Sequence, residues 1–192
     1  MKDQSYVVSY VILCTLLYVS LLLCQTKRYY SVYPSLQIYP DNISDASVVQ
    51  SYVDSRTYTF EQLFYLTDPS VSYAFEPYVQ ESIQDLDEII TQPHVLGFIY
   101  TAKYICNRAR PKQVLPELQI LTSHTADTPA YPAGHAFQAY YLANVLSKQY
   151  PQKKTLFSKL AEDCSLARVY AGIHYPSDNE FSKYLVSTFF SY

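Results

Sequence analysis

Three short stretches of this sequence hold the residue types best suited to chemistry on an anion. They supply three cations, two histidines and one carboxylate, in the order Lys103, Arg110, His135, Arg168, His174 and Asp178. Guanidinium groups bind the oxygens of a tetrahedral anion through paired N–H groups, and an ammonium group adds a further positive charge. Two of the three glycines in the chain, Gly134 and Gly172, also lie in these stretches. The pattern therefore predicts a phosphate-binding site.

The predicted phosphate-binding residues combine side chains with backbone. Arg110 and Arg168 offer guanidinium groups, and Lys103 supplies a third positive charge. Ala133 and Gly134 follow a proline, which favours a helix start. A helix start presents unpaired N–H groups and the positive end of a dipole, and glycine lets an anion approach closely. We expect both residues to donate backbone N–H groups to the anion.

The predicted catalytic residues are His174, Asp178 and His135. A neutral His174 can attack phosphorus through one ring nitrogen, provided that an acceptor fixes the proton on the other nitrogen. Asp178, four residues further on, can be that acceptor. His135 is then the general acid for the leaving oxygen, and it can activate the water that breaks down the phosphohistidine. Neither step calls for a metal ion.

Each of these features alone is more often structural. A single His-x3-Asp is commonly a surface pair of ~0.2–0.5 kcal/mol, and a single Arg-Pro is commonly a helix end. We therefore interpret His94 and His124, which lie outside the pattern, as structural residues. Arg108 shares a stretch with Lys103 and has no predicted role. The phosphate site is favoured because the three stretches offer roles that converge on one reaction.

The three stretches together resemble a known superfamily. Lys-x6-Arg-Pro, Pro-x-Gly-His and Arg-x5-His-x3-Asp, over Lys103 to Asp178, look like the three-part pattern of the type 2 phosphatidic acid phosphatase superfamily. It includes lipid phosphatases, soluble acid phosphatases and vanadium haloperoxidases, and the resemblance implies the same roles for the residues above. The family usually has serine where this chain has Ala133 and Ala167. Each departure removes a hydroxyl group, which we expect to affect catalytic efficiency more than the chemistry.

Three functions fit the pattern. The first is a metal-independent phosphomonoester hydrolase without a cofactor, acting on a lipid or small-molecule phosphate through a phosphohistidine. The second is a vanadium-dependent haloperoxidase, in which the same residues hold vanadate against His174. The third is a membrane-anchored, non-catalytic descendant of the fold, against which the six intact positions argue. We favour the hydrolase, because compact size and a membrane tether are typical of phosphatases in this superfamily, an argument by analogy.

The N-terminal segment predicts a membrane helix. Tyr6 to Cys24 is a run of nineteen residues without a charge, which as a helix spans roughly 28 Å, close to the thickness of a bilayer core. The alternative is a secretory signal, whose apolar region is usually about 7–15 residues long and ends in small residues. The longer run and its Leu-Leu-Leu-Cys ending favour an uncleaved, single-pass anchor. Basic residues on both sides leave its orientation undetermined.

The rest of the sequence predicts an all-α protein. Residues 1–28 are assigned to the anchor, residues 29–58 to an irregular tether, and residues 59–192 to a phosphatase-like helical domain. An amphipathic stripe runs from Val79 to Ile90, further helices are expected from Val95 to Arg108 and from Thr155 to Tyr170, and another follows Pro176. We therefore expect a helical bundle of the acid phosphatase and haloperoxidase type, with one N-terminal membrane helix.

Charge and cysteine content exclude other classes of function. The formal net charge is −3 and no run of lysine or arginine occurs, so no nucleic-acid partner is expected. The four cysteines show no Cys-x-x-Cys spacing, which argues against a zinc site and a disulfide framework. The expected partners are a phosphorylated substrate and, through Tyr6 to Cys24, a membrane.

Overall fold

A computed structural model describes residues 38–190 of the chain. Within that range every regular element is a helix, which agrees with the all-α prediction. The α-helices are α1 (Asn42–Asp54), α2 (Tyr58–Thr67), α3 (Ser72–Phe75), α4 (Ile83–Ile90), α5 (Pro93–Cys106), α6 (Pro111–Val114), α7 (Gly134–Gln149), α8 (Lys154–Tyr170) and α9 (Pro176–Phe189). Two short 3-10 helices cover Glu76–Tyr78 and Pro151–Lys153.

The centre of the fold is the pair formed by α7 and α8. These helices make the most extensive contact between two elements of the described range, with α9 packed on α7 and α2 packed on α8. Small side chains such as Ala139 and Ala161 are fully buried in the cluster between them, which permits close packing of the two helices. Phe75, Leu142 and Phe157 fill the same cluster and are also fully buried.

Helix α1 corrects the prediction of an irregular tether over residues 29–58. Asp41 caps this helix, since its Oδ2 accepts the N–H groups of Ile43 and Ser44 at 3.0 Å each. One side of α1 buries Ala46, Val49 and Val53 against the domain. That apolar stripe is narrow and interrupted by serines, so its period was too weak to recognise in the sequence. The helix is an integral part of the domain that was predicted to begin at residue 59.

Helix α5 ends earlier than predicted. Cys106 is its last residue, and Asn107 adopts a left-handed conformation with φ of 47°. Arg110 is extended, as expected of a residue before proline. Lys103 and Arg110 therefore do not share one continuous helix, and the loop contacts described below bring Arg110 to the cavity that Lys103 lines.

The last two long helices follow the predicted boundaries closely. Helix α8 begins one residue before the predicted Thr155 and ends at Tyr170, and α9 begins at Pro176. Gly172 between them has φ of 77°, and a Cβ atom there would lie 3.0 Å from Ile120 Cγ2. Only glycine fits this turn without strain. In contrast, α7 starts at Gly134, so the proline that was predicted to open it stands outside the helix.

The membrane prediction falls outside this description. Tyr6 to Cys24 lies in the part of the chain that the structure does not describe. Among residues 38–190 no helix has both the length and the apolar character needed to cross a bilayer.

Candidate active site

The three stretches meet at one cavity of about 320 Å³. Six of the predicted site residues line it, namely Lys103, Arg110, Gly134, His135, Arg168 and His174. Asp178 lies directly behind His174, and Ala133 does not line the cavity. Because α7 begins with Gly134 and α8 carries Arg168 near its end, the central helix pair positions both of these residues.

The start of α9 holds His174 in one orientation. Asp178 Oδ2 accepts the backbone N–H of Tyr175, the N-cap residue, at 2.9 Å, and it lies 2.9 Å from His174 Nδ1. An ionised carboxylate accepts hydrogen bonds only, so the proton of a neutral His174 sits on Nδ1. The other ring nitrogen, Nε2, keeps a lone pair.

Charge and burial keep His174 neutral. Burial lowers the pKa of His174 well below its ordinary value, and the positive charges of Arg110 and Lys103 lower it further. Burial also raises the pKa of Asp178, while the charge of Arg108 opposes that change. The pair therefore consists of a neutral imidazole backed by the carboxyl group of Asp178.

Arg110 is fixed by the carbonyl groups of two loops. Its Nε donates to Thr128 O at 2.9 Å, and its Nη1 donates to Ile173 O at 2.9 Å. The same Nη1 lies 3.2 Å from His174 Nε2. These contacts, rather than a shared helix with Lys103, direct the guanidinium group to His174.

Lys103 reaches the cavity from α5. It is 3% exposed, and its Nζ donates to Pro129 O at 2.6 Å. Burial lowers the pKa of Lys103 well below its ordinary value, and the charge of Arg110 adds to this effect. An anion in the cavity would oppose both effects and stabilise the charged ammonium group.

Arg168 is the cation whose donors are least satisfied by protein groups. Its Nη2 pairs with Asp68 Oδ1 at 2.6 Å, whereas Nε and Nη1 are buried without a hydrogen-bond partner among the residues that the structure describes. Burial lowers the pKa of Arg168 to about 10, and Asp68 opposes the change. Buried donors without a partner are rare and costly, which marks these two as groups for a ligand.

Asp68 is a site residue that the sequence analysis missed. Besides Arg168, its carboxylate accepts the hydroxyl of Ser123 at 2.6 Å and the backbone N–H of His124 at 3.3 Å. Burial favours a higher pKa for Asp68, but the bonds from Ser123 and Arg168 outweigh it and hold the pKa below the ordinary value. No motif surrounds Asp68 in the sequence, so nothing there indicates its role.

His135 faces the cavity from the first turn of α7. Its Nε2 lies 3.0 Å from the backbone carbonyl of Asp68, which fixes the ring. Burial lowers the pKa of His135 to about 3, and the charge of Arg168 contributes to the shift. The ring is therefore neutral near neutral pH unless an anion offsets these effects.

The backbone at the start of α7 corrects one prediction. Ala133 is fully buried, and its N–H group donates to the carbonyl of Asp178 at 3.3 Å. Ala133 therefore cannot donate to a phosphate, contrary to the expectation from sequence. Gly134 does line the cavity, and its N–H group belongs to a first helical turn, where no partner exists within the helix.

The remaining histidines lie outside the cavity lining. His94 packs on the ring of Phe190 with a centroid distance of 6.1 Å, and His124 contributes its backbone N–H to Asp68. Away from the cations, the cavity has a mixed wall of Ser70, Asp87, Ile90, Thr91, Leu96, Ile99, Tyr100 and Gln138.

Comparison with known protein families gives a match whose range contains these site residues. The sequence matches the family model of the PAP2 superfamily over residues 89–191, a range that includes all six cavity-lining residues named above. The search of curated proteins returned no match.

Proposed function

Because the chain belongs to the PAP2 superfamily, we propose that it is a metal-independent phosphomonoester hydrolase that forms a phosphohistidine on His174. The observation that carries this proposal is the orientation of the imidazole. Its Nδ1 is held 2.9 Å from Asp178 Oδ2, which leaves the lone pair on Nε2 at a cavity lined by three cations. A nucleophile with its proton on the far nitrogen, facing positive charge, suits attack on a phosphate ester.

The cations bind the phosphate oxygens. Arg168 contributes its Nε and Nη1, which have no hydrogen-bond partner within residues 38–190, and Arg110 and Lys103 add positive charge at the same cavity. The first-turn N–H of Gly134 and the dipole of α7 support the same anion. These groups stabilise the transition state because its negative charge is spread over the oxygens that they contact.

In the first step His174 Nε2 attacks phosphorus. A bond from nitrogen to phosphorus forms, the bond from phosphorus to the ester oxygen breaks, and its electron pair stays on the leaving oxygen. Asp178 stabilises the positive charge that develops on the imidazole. His135 donates a proton to the leaving oxygen. Burial and the charge of Arg168 lower the pKa of His135 to about 3, and the negative charge of the phosphate dianion raises it again.

In the second step water replaces the histidine on phosphorus. His135, now neutral, accepts a proton from the water as its oxygen attacks, and the bond between nitrogen and phosphorus breaks. The products are inorganic phosphate and the free imidazole. A cavity of about 320 Å³ lies at the small end of ligand sites. It accommodates the phosphate and the adjoining atoms of the leaving group, so both small esters and lipid headgroups are substrates to test.

The experiment is phosphate release by the full-length protein from an aryl phosphate and from a lipid phosphate, with chelator present. We expect turnover that vanadate inhibits, and a loss of more than ~10³-fold in His174→Ala. His94→Ala is the matched control, because His94 packs on Phe190 away from the cavity. Full activity of His174→Ala would exclude the phosphohistidine. If phosphate release is absent and vanadate-loaded protein oxidises bromide with peroxide, the protein is a haloperoxidase instead.

A further inference from the structure

Behind His174, on the side away from the cavity, lies a third buried arginine. Arg108 follows the end of α5 and has no exposed surface. Three tyrosine rings surround its guanidinium group. Their centroids lie 3.7 Å (Tyr175), 4.8 Å (Tyr39) and 5.7 Å (Tyr131) from Arg108 Cζ. Stacking of this kind stabilises the cation and restricts its orientation.

All five N–H groups of Arg108 are directed to acceptors. Nη1 lies 2.7 Å from both Asp178 Oδ1 and Ser177 Oγ, and Nη2 lies 2.7 Å from Asp45 Oδ2. Nε donates to Asn42 Oδ1 at 3.0 Å, and the remaining contact is to Pro40 O at 3.5 Å. The arrangement differs from a phosphate-binding arginine, because no donor is left for a ligand.

The two oxygens of Asp178 divide their contacts. Oδ1 is paired with Arg108, while Oδ2 accepts from His174 Nδ1 and from the backbone of Tyr175. Burial favours a higher pKa for Arg108's partner Asp178, and the charge of Arg108 is the largest influence against it. Burial works to lower the pKa of Arg108 itself, but Asp178 and Asp45 outweigh it and raise the pKa. Arg108 therefore opposes the effect of burial on Asp178 and favours the ionised carboxylate.

We propose that Arg108, held by Asn42 and Asp45 of α1, is a positioning residue that orients Asp178 and so maintains His174 in its nucleophilic orientation. The inference rests on the proposed function. It extends the site to α1, which lies outside the range matched by the family.

The remaining titratable groups near this cluster do not replace Arg108. They are Asp45, Lys103, Cys106, Tyr39, Tyr131 and Tyr175. Burial raises the pKa of Cys106 to about 11 and also raises those of the three tyrosines, so these groups are uncharged near neutral pH. Lys103 donates to Pro129 on the cavity side, which leaves Arg108 as the cation bonded to Asp178.

Loss of Arg108 has a defined chemical consequence. Without the guanidinium, the pair of His174 and Asp178 binds one further proton more readily, on either partner. A proton on Nε2 removes the nucleophile, and a proton on Asp178 removes the acceptor that stabilises the imidazolium. In both cases the acidic limb of the pH profile of kcat/KM moves to higher pH.

The test is a double-mutant cycle in the full-length protein with an aryl phosphate substrate. Arg108→Gln should lower kcat by about 10–100-fold, as is typical for a residue that orients a catalytic group, with KM little changed and the acidic limb shifted upward. Arg108→Lys should restore part of the loss. In an Asp178→Asn background, Arg108→Gln should add no further loss, because its effect passes through the missing carboxylate.

Arg56→Gln is the matched control. Arg56 also binds backbone carbonyls, those of Tyr170 and Gln119, but it lies outside the cavity lining, and its loss should leave kcat and the pH profile unchanged. If Arg108→Gln does not fold, Asp45→Asn carries the same test, since it loosens Arg108 and keeps the pair with Asp178. We then expect a loss of about threefold to tenfold that disappears in the Asp178→Asn background.

The inference would be overturned if the losses of kcat in Arg108→Gln and Asp178→Asn multiply in the double variant and the acidic limb of the pH profile does not move. Arg108 would then have a role in the fold alone. Inactive wild-type protein, or full activity in His174→Ala, would instead reject the proposed hydrolase. The two failures are therefore distinguishable in one set of measurements.

Discussion

Arg168 lines the same cavity as His174, and Arg108 pairs with Asp178 behind that histidine. Both arginines are buried, yet their surroundings are opposite. Arg168, on the cavity side, is 1% exposed and has two nitrogens without a hydrogen-bond partner among the described residues. Arg108, on the far side, is fully buried with every N–H directed to an acceptor, and it pairs with two carboxylates at 2.7 Å.

We interpret this difference as one between a residue that binds the ligand and a residue that supports the site. An unpaired buried donor costs free energy, so the fold retains Arg168 at the expense of stability, which is expected of a residue whose partner is a substrate. A saturated buried ion pair is instead costly to break, because removal of one partner leaves a buried charge. Arg168 should therefore matter more for activity, and Arg108 for activity and stability together.

The largest effect should follow the loss of the saturated arginine. Arg108→Met leaves Asp45 and Asp178 without their cation, so we expect the free energy of unfolding to fall by ~3–5 kcal/mol. Urea denaturation followed by circular dichroism measures it, with Arg56→Met for comparison. A change below ~1 kcal/mol would mean that water replaces the guanidinium and that the two arginines differ less than their contacts suggest.

Arg168→Lys should show the reverse pattern. Lysine keeps a charge near Asp68 but lacks the planar fork that offers Nε and Nη1 to the anion. We expect kcat/KM to fall by ~10²–10³-fold, as for other lost oxyanion contacts, with a small change in melting temperature. Steady-state phosphate release and thermal denaturation of the same samples provide the test. A large loss of stability with normal turnover would mean that Arg168 supports the fold and does not bind the substrate.

The cavity side should also respond to pH. The pKa of His135 is lowered to about 3 in the folded protein, against about 6.5 in the unfolded chain. Between these pH values the unfolded state binds more protons than the folded state. The contribution of His135 to stability is therefore fully present above about pH 6.5 and is lost as the pH falls. The free energy of unfolding of the wild-type protein should fall between pH 7.5 and pH 5, and in His135→Gln we expect this fall to be smaller by about 1–2 kcal/mol. Chemical denaturation at both pH values measures it, and identical pH dependence in both proteins would contradict it.

The smallest effect concerns Gly134, which lines the cavity, and Gly172, in the turn between α8 and α9. A Cβ atom at Gly134 would lie 3.5 Å from Lys103 Cε, an ordinary contact, whereas one at Gly172 would lie 3.0 Å from Ile120. Gly134→Ala should thus fold normally and raise KM by about tenfold by crowding the anion, while Gly172→Ala should lose at least ~1 kcal/mol of stability. Comparison of KM and melting temperature in the two variants gives the result, and unchanged KM in Gly134→Ala would show that no ligand approaches that backbone.

Local spacing in the sequence was enough to predict several features. The all-α character, the bounds of α8 and the start of α9 follow from apolar period, proline and glycine, which act within a few residues. The relation of His174 to Asp178 belongs to the same class, because four residues across a helix start bring the two side chains together. The convergence of Lys103, Arg110, His135 and Arg168 was inferred from residue type and from the resemblance to a superfamily. Their catalytic roles remain predictions.

Tertiary packing decided the rest. Asp68 lies 100 residues from Arg168 in sequence, and Asp45 lies 63 residues from Arg108, so no local pattern marks either pair. Helix α1 was predicted as a tether because its few apolar residues form no clear period. Their burial depends on contact with Leu118, Ala130 and Tyr175, which are distant in sequence. The N–H of Ala133 was predicted to bind a phosphate, but the packing of α7 against α9 directs it to the carbonyl of Asp178. A hydrogen bond between distant residues depends on how helices pack, and the sequence specifies that packing only through the whole of the core.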